Sequence, residues 1–398
     1  MVSADDAAGE RRRISVLGAT GSIGESTLDV LRAHGGREAF DVVALTAKGA
    51  YDKLADAAIE FGAELAVCAD EAAYRDLRDR LSGTSVRVAA GAEAVCDAAA
   101  EATDWTMVAI AGAASLRPSF AAARASRVVA LANKETMVCA GAAFVRELRQ
   151  SGGQLLPVDS EHNAIFQVFD QHQNEAVERL ILTASGGPFR RLSLEEMARV
   201  TPAQALQHPN WSMGGKITID SATMFNKALE FIEAAYLFPV SADQIEVVVH
   251  PQSIVHSMVG YVDGSVLAQM GVPDMRTPIA YALGWPRRVA APVERLDFSK
   301  VRRLEFEKPD EARFPALRLA REALAAGGSS PCALNASNEV AVDAFVGGRI
   351  GFLDIAWVVE ATLEQVAART LGSLSDSLEV DAEARRVAER HIAVKECA

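Results

Sequence analysis

The sequence predicts an α/β protein that opens with a doubly wound parallel sheet. Three observations carry this. Residues 13–158 hold seven short β-branched runs ("ISVLGA", "DVVALTA", "ELAVCA", "SVRVAA", "WTMVAIAG", "RVVALAN", "QLLPV") separated by Ala/Leu/Glu-rich helical stretches. Runs apolar on both faces suit a parallel sheet covered by helices on each side. A glycine loop follows the first run, where a Rossmann-like sheet turns into its first helix.

In "VLGATGSIGESTLDVLRAH", Gly18, Gly21 and Gly24 lie between strand and helix. Glycines permit a tight turn and close backbone approach, and the helix start offers N–H groups to a pyrophosphate. The spacing is GxxGxxG rather than GxGxxG, and the strand–loop–helix context supports dinucleotide binding over a plain structural turn. The second run leads into "ALTAKGAYDK", with Lys48 and no acid directly at the end of the run to hold a ribose 2′-OH. A cation there favours NADP over NAD, unless Lys48 is simply solvated. The Tyr-x-x-x-Lys pair of short-chain dehydrogenases is absent, because none of Tyr51, Tyr74, Tyr236, Tyr261 and Tyr281 has Lys four residues on. Asn133, Lys134 and Glu135 follow the sixth run, at the strand end where such sheets bind ligands.

After residue 158 the rhythm changes to a central α+β segment with a mainly antiparallel sheet, its hairpin turning at "VDGS", 262–265. "PVDSEHN" opens it with Asp159, Ser160 and Glu161. The plain reading is a solvated loop whose Ser160 caps the next helix. The alternative is a divalent cation between two carboxylates that would otherwise raise each other's pKa. Ser185, Gly186 and Gly187 of "SGGPF" make either an anion nest or a glycine turn. In "HPNWSMGGKITIDSATMFNKALE", Asp220 or Ser221 caps a helix predicted from about Ala222, placing Asn226 and Glu230 at i, i+4 with Lys227 beside them. Ser221, Asn226 and Lys227 suit a phosphate, and Glu230 completes three carboxylates for Mg²⁺ or Mn²⁺. Alone, Asn226, Lys227 and Glu230 read more readily as a surface salt-bridge face. His208 and Trp211 either close over a substrate or pack in the core. His250 and His256 read as structural strand histidines.

Pro, Arg and acidic residues thicken over 286–315, as in a linker, and the remainder is helical by periodicity. The boundaries expected are a disordered leader at 1–12, a cofactor domain at 13–158, a catalytic domain at 159–292 with a closing loop near 208–216, a linker at 293–315 and a helical domain at 316–398. A net charge of −13 disfavours nucleic acid. Five scattered cysteines with no CxxC suit free thiols in a reducing compartment. The start carries no signal-peptide core and no run is long enough for a membrane span, so a cytoplasmic enzyme is expected.

Together, "GATGSIG", "ALANKET", "PVDSEHNAIFQ", "SGGPF", "HPNWSMG" with "KITIDSAT", "HPQSIVHS", "PDMRTPIAYAL" and "LNASNEVAV" resemble the 1-deoxy-D-xylulose 5-phosphate reductoisomerase family, in family order along nearly the whole chain. The resemblance implies a homodimer using NADPH and Mg²⁺, Mn²⁺ or Co²⁺. It implies rearrangement of a small phosphorylated ketose to a branched aldehyde, then reduction to 2-C-methyl-D-erythritol 4-phosphate.

By motif, Thr20, Gly21, Ser22 and Ile23 would hold cofactor phosphates, with Asn133, Glu135 and Gly214 also at the cofactor and Met213 near the nicotinamide. Lys48 and Gly49 stand where the 2′-phosphate is read. Asp159, Glu161 and Glu230 would bind metal. Lys134, Ser160, Glu161, Ser185, His208, Trp211, Ser221, Asn226, Lys227 and Glu230 would face substrate, with Lys134, Glu161 and His208 at the chemistry. Two departures stand out. Lys48-Gly49-Ala50 replaces the family's usual Gly-basic-Asn, and Gly215 replaces a frequent basic residue. Two other readings remain: a metal-assisted NADP dehydrogenase that moves no carbon, and a catalytically silent NADP-binding protein.

Overall fold

The computed structural model describes residues 11–207, 211 and 214–396. The chain begins β1 (Arg12–Leu17), α1 (Ser22–Ala33), β2 (Phe40–Ala47), α2 (Tyr51–Phe61), β3 (Leu65–Cys68), α3 (Tyr74–Arg80) and β4 (Arg87–Ala90). It continues α4 (Ala92–Ala99), β5 (Trp105–Val108), α5 (Leu116–Ala125), β6 (Val128–Leu131), α6 (Lys134–Ser151) and β7 (Gln154–Pro157). These seven strands are the seven apolar runs. They form one parallel sheet in the order β4-β3-β2-β1-β5-β6-β7. Val16, Leu45, Val67 and Met107 are fully buried in it, as strands covered on both faces require. Strand order reverses direction between β1 and β5, which opens a crevice at their carboxyl ends.

The next elements are α7 (Ser160–Val168), β8 (Val177–Ala184), the short helices α8 (Leu194–Met197) and α9 (Pro202–Ala205), α10 (Gly215–Thr223) and α11 (Phe225–Leu237). A second sheet adds β9 (Ile245–Val249), β10 (Val255–Tyr261) and β11 (Val266–Met270) in the order β11-β10-β8-β9. β10 pairs antiparallel with β8 and β11, while β9 pairs parallel with β8. The "VDGS" turn closes the β10–β11 hairpin, with Tyr261 N–H donating to Ser265 O at 2.9 Å and Gly264 at φ +86°. α12 (Arg276–Gly284) follows, then helices α13 (Ala316–Ala326), α14 (Ser330–Val346), α15 (Asp354–Gln365) and α16 (Leu374–Glu396).

Two compact units result. One comprises 1–132, 147–158 and 275–292, and the other 133–146, 159–274 and 293–398. Residues 275–292, which a linear reading attaches to the catalytic segment, pack with the parallel sheet: Trp105 Nε1 donates to Ala282 O at 3.2 Å and Arg12 Nη1 to Leu283 O. Residues 316–396 share one apolar core with the second sheet and α11, including Leu182, Phe225, Phe231, Leu317, Leu334 and Ile355.

Two local expectations are corrected. The helix predicted from Ala222 already starts at Gly215, so Asp220 and Ser221 lie inside α10; the break falls at Met224, φ +67°. Ser160 does not cap α7. Asp159 is the N-cap residue without a side-chain cap bond, and Ser160 Oγ donates to Glu161 Oε2 at 2.6 Å.

Candidate active site

In the first unit the glycine loop is built where only glycine fits. Gly18 sits at φ +91°, and a Cβ there would lie 2.6 Å from Ala109 O. A Cβ on Gly24 would lie 2.1 Å from Gly18 O. Gly18 and Ala19 N–H donate to Thr46 O at 3.2 and 2.7 Å, tying the loop to the end of β2. α1 then begins at Ser22 with Gly21 as an exposed, extended N-cap residue and no side-chain cap. Ser22 is exposed, and Thr20 and Ile23 are half-buried beside it. The uncapped helix start presents N–H groups to an anion. Lys48 and Gly49 are exposed just past β2, and Lys48 O accepts from Asp70 N at 2.8 Å, so a fixed backbone carries a free-reaching cation.

In the second unit three helix starts converge. Asn133 Oδ1 accepts from Thr136 N at 2.8 Å and so caps α6, which places Lys134 in the first turn. α7 brings Asp159, Ser160 and Glu161, and α11 brings Asn226, Lys227 and Glu230. Carboxylate oxygens of Asp159, Glu161 and Glu230 all lie within 4.8 Å of one another. Lys134 Nζ is 2.9 Å from Asp159 Oδ2, 2.8 Å from Asn226 Oδ1 and 3.8 Å from Glu230 Oε1. Lys227 Nζ donates to Glu161 Oε1 at 2.7 Å and also to Glu230. Asn226 Nδ2 donates to the other oxygen of Glu230.

Burial sets the electrostatics. Glu230 is 1% exposed. Its carboxyl is pushed up to about 8, first by burial and then by Asp159 and Glu161. Burial pushes Asp159 up as well, but Lys134, His162 and Lys227 together outweigh it and hold the carboxyl below its usual range. Burial pulls Lys134 and Lys227 down, and the surrounding carboxylates outweigh it, so both remain ammonium ions. Three acidic groups crowd two ammonium ions in a largely buried place, and the raised Glu230 carboxyl shows that a third negative charge is disfavoured there without a further cation.

That arrangement fits a hard divalent cation. The donors are all oxygens, they are close enough to share one ion, and Glu230's raised carboxyl marks negative potential that lacks compensation. A second group, Asp159, His162 and Glu233, is also close enough to share an ion. There the imidazole is already engaged: Nε2 meets Glu230 O at 2.9 Å and Nδ1 faces Glu233 Oε2 at 3.3 Å. That pattern suits a layer that orients ligands. Burial pushes Glu233 up to about 7 against the opposing pull of His162. The sequence reading does not single out Glu233. Its helical spacing of three from Glu230 was the available signal.

Ser185 and Ser221 meet at 3.5 Å between hydroxyls, and Gly187 N–H donates to Ser185 Oγ at 3.2 Å. Gly186 and Gly187 have φ +79° and +66°, and a Cβ on Gly187 would lie 2.6 Å from Ser221 O. The "SGG" loop therefore lies against the end of α10, just before the break that starts α11. Trp211 is half-buried with its ring 6.0 Å from that of His256. Gly214 is the N-cap residue of α10. His208 and Met213 lie outside the described residues. Asn133 Nδ2 donates to Glu135 Oε2 at 2.7 Å. His250 is structural: Nδ1 meets Glu305 O at 2.8 Å and Nε2 accepts from Ile254 N at 3.2 Å.

Comparison with known proteins accounts for both units. Family models of 1-deoxy-D-xylulose 5-phosphate reductoisomerase match residues 14–141 and, as its C-terminal domain, 155–238; a DXP reductoisomerase C-terminal domain matches 270–387. The reductoisomerase of Sinorhizobium medicae is 57% identical over 379 residues, 95% of this chain and 97% of that one. That of Rhodospirillum centenum is 57% identical over 382 residues, 96% of this chain and 94% of the other. The Zymomonas mobilis enzyme, solved with NADPH, superposes with a TM-score of 0.91 at 52% identity, covering 96% of this chain and 99% of that one. A DOX-P reductoisomerase solved with NADPH, fosmidomycin and magnesium gives 0.92 at 41% identity, covering 96% and 98%. By sequence along its length and by fold, this chain belongs to the 1-deoxy-D-xylulose 5-phosphate reductoisomerase family.

Proposed function

We propose that this chain converts 1-deoxy-D-xylulose 5-phosphate to 2-C-methyl-D-erythritol 4-phosphate with NADPH and a divalent cation, in the non-mevalonate route to isoprenoid precursors. The observation that carries the reading is the buried convergence of Asp159, Glu161 and Glu230 on helix starts that also deliver Lys134, Asn226 and Lys227. Asp159, Glu161 and Glu230 hold Mg²⁺, Mn²⁺ or Co²⁺, and the glycine loop with Thr20, Gly21, Ser22 and Ile23 holds the cofactor phosphates. Lys48 and Gly49 read the 2′-phosphate, and Asn133, Glu135, Met213 and Gly214 complete the cofactor contacts.

When bound, the cation supplies Lewis-acid polarisation of substrate oxygens and NADPH supplies reducing equivalents. The chain's own residues do the rest. Lys134 keeps its full charge beside the carboxylates and stabilises negative charge developing on a substrate oxygen. The carboxylates beside it favour the ammonium over the free amine. Ser185, Ser221, Asn226 and Lys227 offer hydroxyl, amide and ammonium donors to the substrate phosphate, and Ser160 and His208 offer further polar contacts. Binding energy gained there, remote from the reacting carbons, is available for orientation. Trp211 and its loop exclude water while the reactive aldehyde waits for reduction.

The homodimer of the family is supported by the β10–β11 hairpin, which exposes Val262 in its turn and Val266 and Leu267 on β11, a strand paired on one side only among the described residues. Light scattering at twice the chain mass checks it. The reading places the enzyme in the cytoplasm, in keeping with buried free thiols; no described helix is long and apolar enough to cross a membrane.

The test is ¹³C NMR of the product from labelled 1-deoxyxylulose 5-phosphate and NADPH, with and without Mg²⁺. A branched four-carbon chain bearing a methyl group, formed only with metal, is expected. An unbranched reduced product, or metal-independent turnover, contradicts the reading.

A further inference from the structure

The "LNASNEVAV" motif at 334–342 takes no part in the chemistry above, yet it puts amides inside a helix core. α14 buries Asn335, Ser337 and Asn338 completely. Ser337 is satisfied locally, its Oγ donating to Ala333 O at 2.7 Å. Asn338 instead reaches out of its helix: Nδ2 donates to Asp220 Oδ1 at 2.8 Å, 118 residues away in sequence. Asp220, itself buried, uses its other oxygen to hold Lys216 Nζ at 2.8 Å. Lys216 Nζ lies 3.4 Å from Glu135 Oε1, and Glu135 Oε2 accepts from Asn133 Nδ2 at 2.7 Å. One polar chain thus runs from α14 through the first turns of α10 and α6.

Two features set this chain apart from ordinary core packing. Lys216 sits in the first turn of α10, where the helix dipole disfavours a cation, so the carboxylates of Asp220 and Glu135 are what hold it there. Asn338 Oδ1 is buried without a hydrogen-bond partner among the described residues. Stability alone favours an apolar side chain in such a place. The amide is explained by what its other end does, which is to fix Asp220 and, through it, the ammonium at the helix start that follows Trp211 and Gly214.

We propose that Asn338 is a positioning residue for the cofactor: through Asp220 and Lys216 it fixes Glu135 and Asn133 in the arrangement that binds NADPH. The proposal rests on the cofactor reading of Asn133, Glu135 and Gly214 given above. Asn338 touches neither substrate nor cofactor, and its effect passes through Lys216.

A double-mutant cycle on the full-length protein tests this, reading the NADPH dissociation constant by fluorescence without substrate or metal, with Tm measured in parallel. Asn338→Ala is expected to weaken NADPH binding about tenfold in the parent and less than about twofold in a Lys216→Met background, while its effect on Tm is the same in both. Asn338→Gln, which keeps the amide but shifts it by one methylene, serves the same cycle if Asn338→Ala does not fold. Equal losses of affinity in the two backgrounds, or no loss in the parent, overturn the proposal. Glu135→Gln separates it from the reading beneath: unchanged NADPH affinity there overturns the cofactor reading and the relay together. Weakened affinity in Glu135→Gln with parent-like affinity in the Asn338 variant overturns the relay alone.

Discussion

Lys227 holds apart two acids that cannot otherwise face each other. Its buried ammonium bridges Glu161 and Glu230, and Glu230 already lies high, first because it is buried and then because Asp159 and Glu161 crowd it. Breaking such a buried pair costs about 3–5 kcal/mol, less whatever Glu230 recovers by taking up a proton. Lys227→Met is therefore expected to lower Tm, to raise KM for the sugar phosphate by about 100-fold, and to recover more Tm on adding Mg²⁺ than the parent does. Parent-like Tm and KM in steady-state and calorimetric measurements would refute this. His256 behaves differently. Burial lowers its pKa from 6.5, so the folded protein keeps it neutral at a pH where the unfolded chain protonates it. Its contribution to stability is full above 6.5 and drains below, by at most about 1.4 kcal/mol per pH unit. Denaturation between about pH 7 and pH 5 is expected to show a shallower slope for His256→Gln than for the parent; identical slopes would be the contrary result. At this scale the acids were legible in the sequence, because Asp159 and Glu161 interrupt an apolar run. The His162–Glu233 pair was not, because it exists only once α7 and α11 pack together.

Among elements, the first strand–loop–helix was the most readable, since three glycines between an apolar run and a helical pattern mark a tight turn with close backbone approach. Gly24 is the tightest: a methyl group there has no room against the Gly18 carbonyl. Gly24→Ala is expected to destabilise the first unit by about 1–3 kcal/mol and to weaken NADPH binding, while Mg²⁺ binding to the second unit stays parent-like. Calorimetry with cofactor and metal titrations checks it; an unchanged NADPH constant would mean the loop does not contact the cofactor. The break between α10 and α11 was unreadable by contrast. "TIDSATMFNK" contains neither Gly nor Pro, and Met224 adopts a left-handed φ that its side chain does not favour. Neighbouring structure imposes that turn, and with it the placement of Asn226 and Lys227 in a first helical turn. The parallel pairing of β9 with β8 was equally hidden, because alternation of apolar residues reveals a strand but not its direction.

For the whole molecule, the sequence displays the order of its elements but not which distant pieces pack together. Residues 275–292 join the parallel sheet and 133–146 join the second unit, a partition set by contacts such as that between Trp105 and Ala282. Its functional consequence is that Lys134, Asp159, Glu161 and Glu230 belong to one compact unit although the first of them follows a strand of the other. In the proposed function Asp159, Glu161 and Glu230 form one metal site built from residues of the second unit alone. A Mg²⁺ titration of NADPH oxidation by Asp159→Asn, paired with a direct NADPH binding measurement, tests it most directly. The expected result is a half-saturating Mg²⁺ concentration raised by about 10–100-fold and turnover reduced to match, with NADPH affinity within about twofold of the parent. A variant whose Mg²⁺ dependence matches the parent's would contradict the claim.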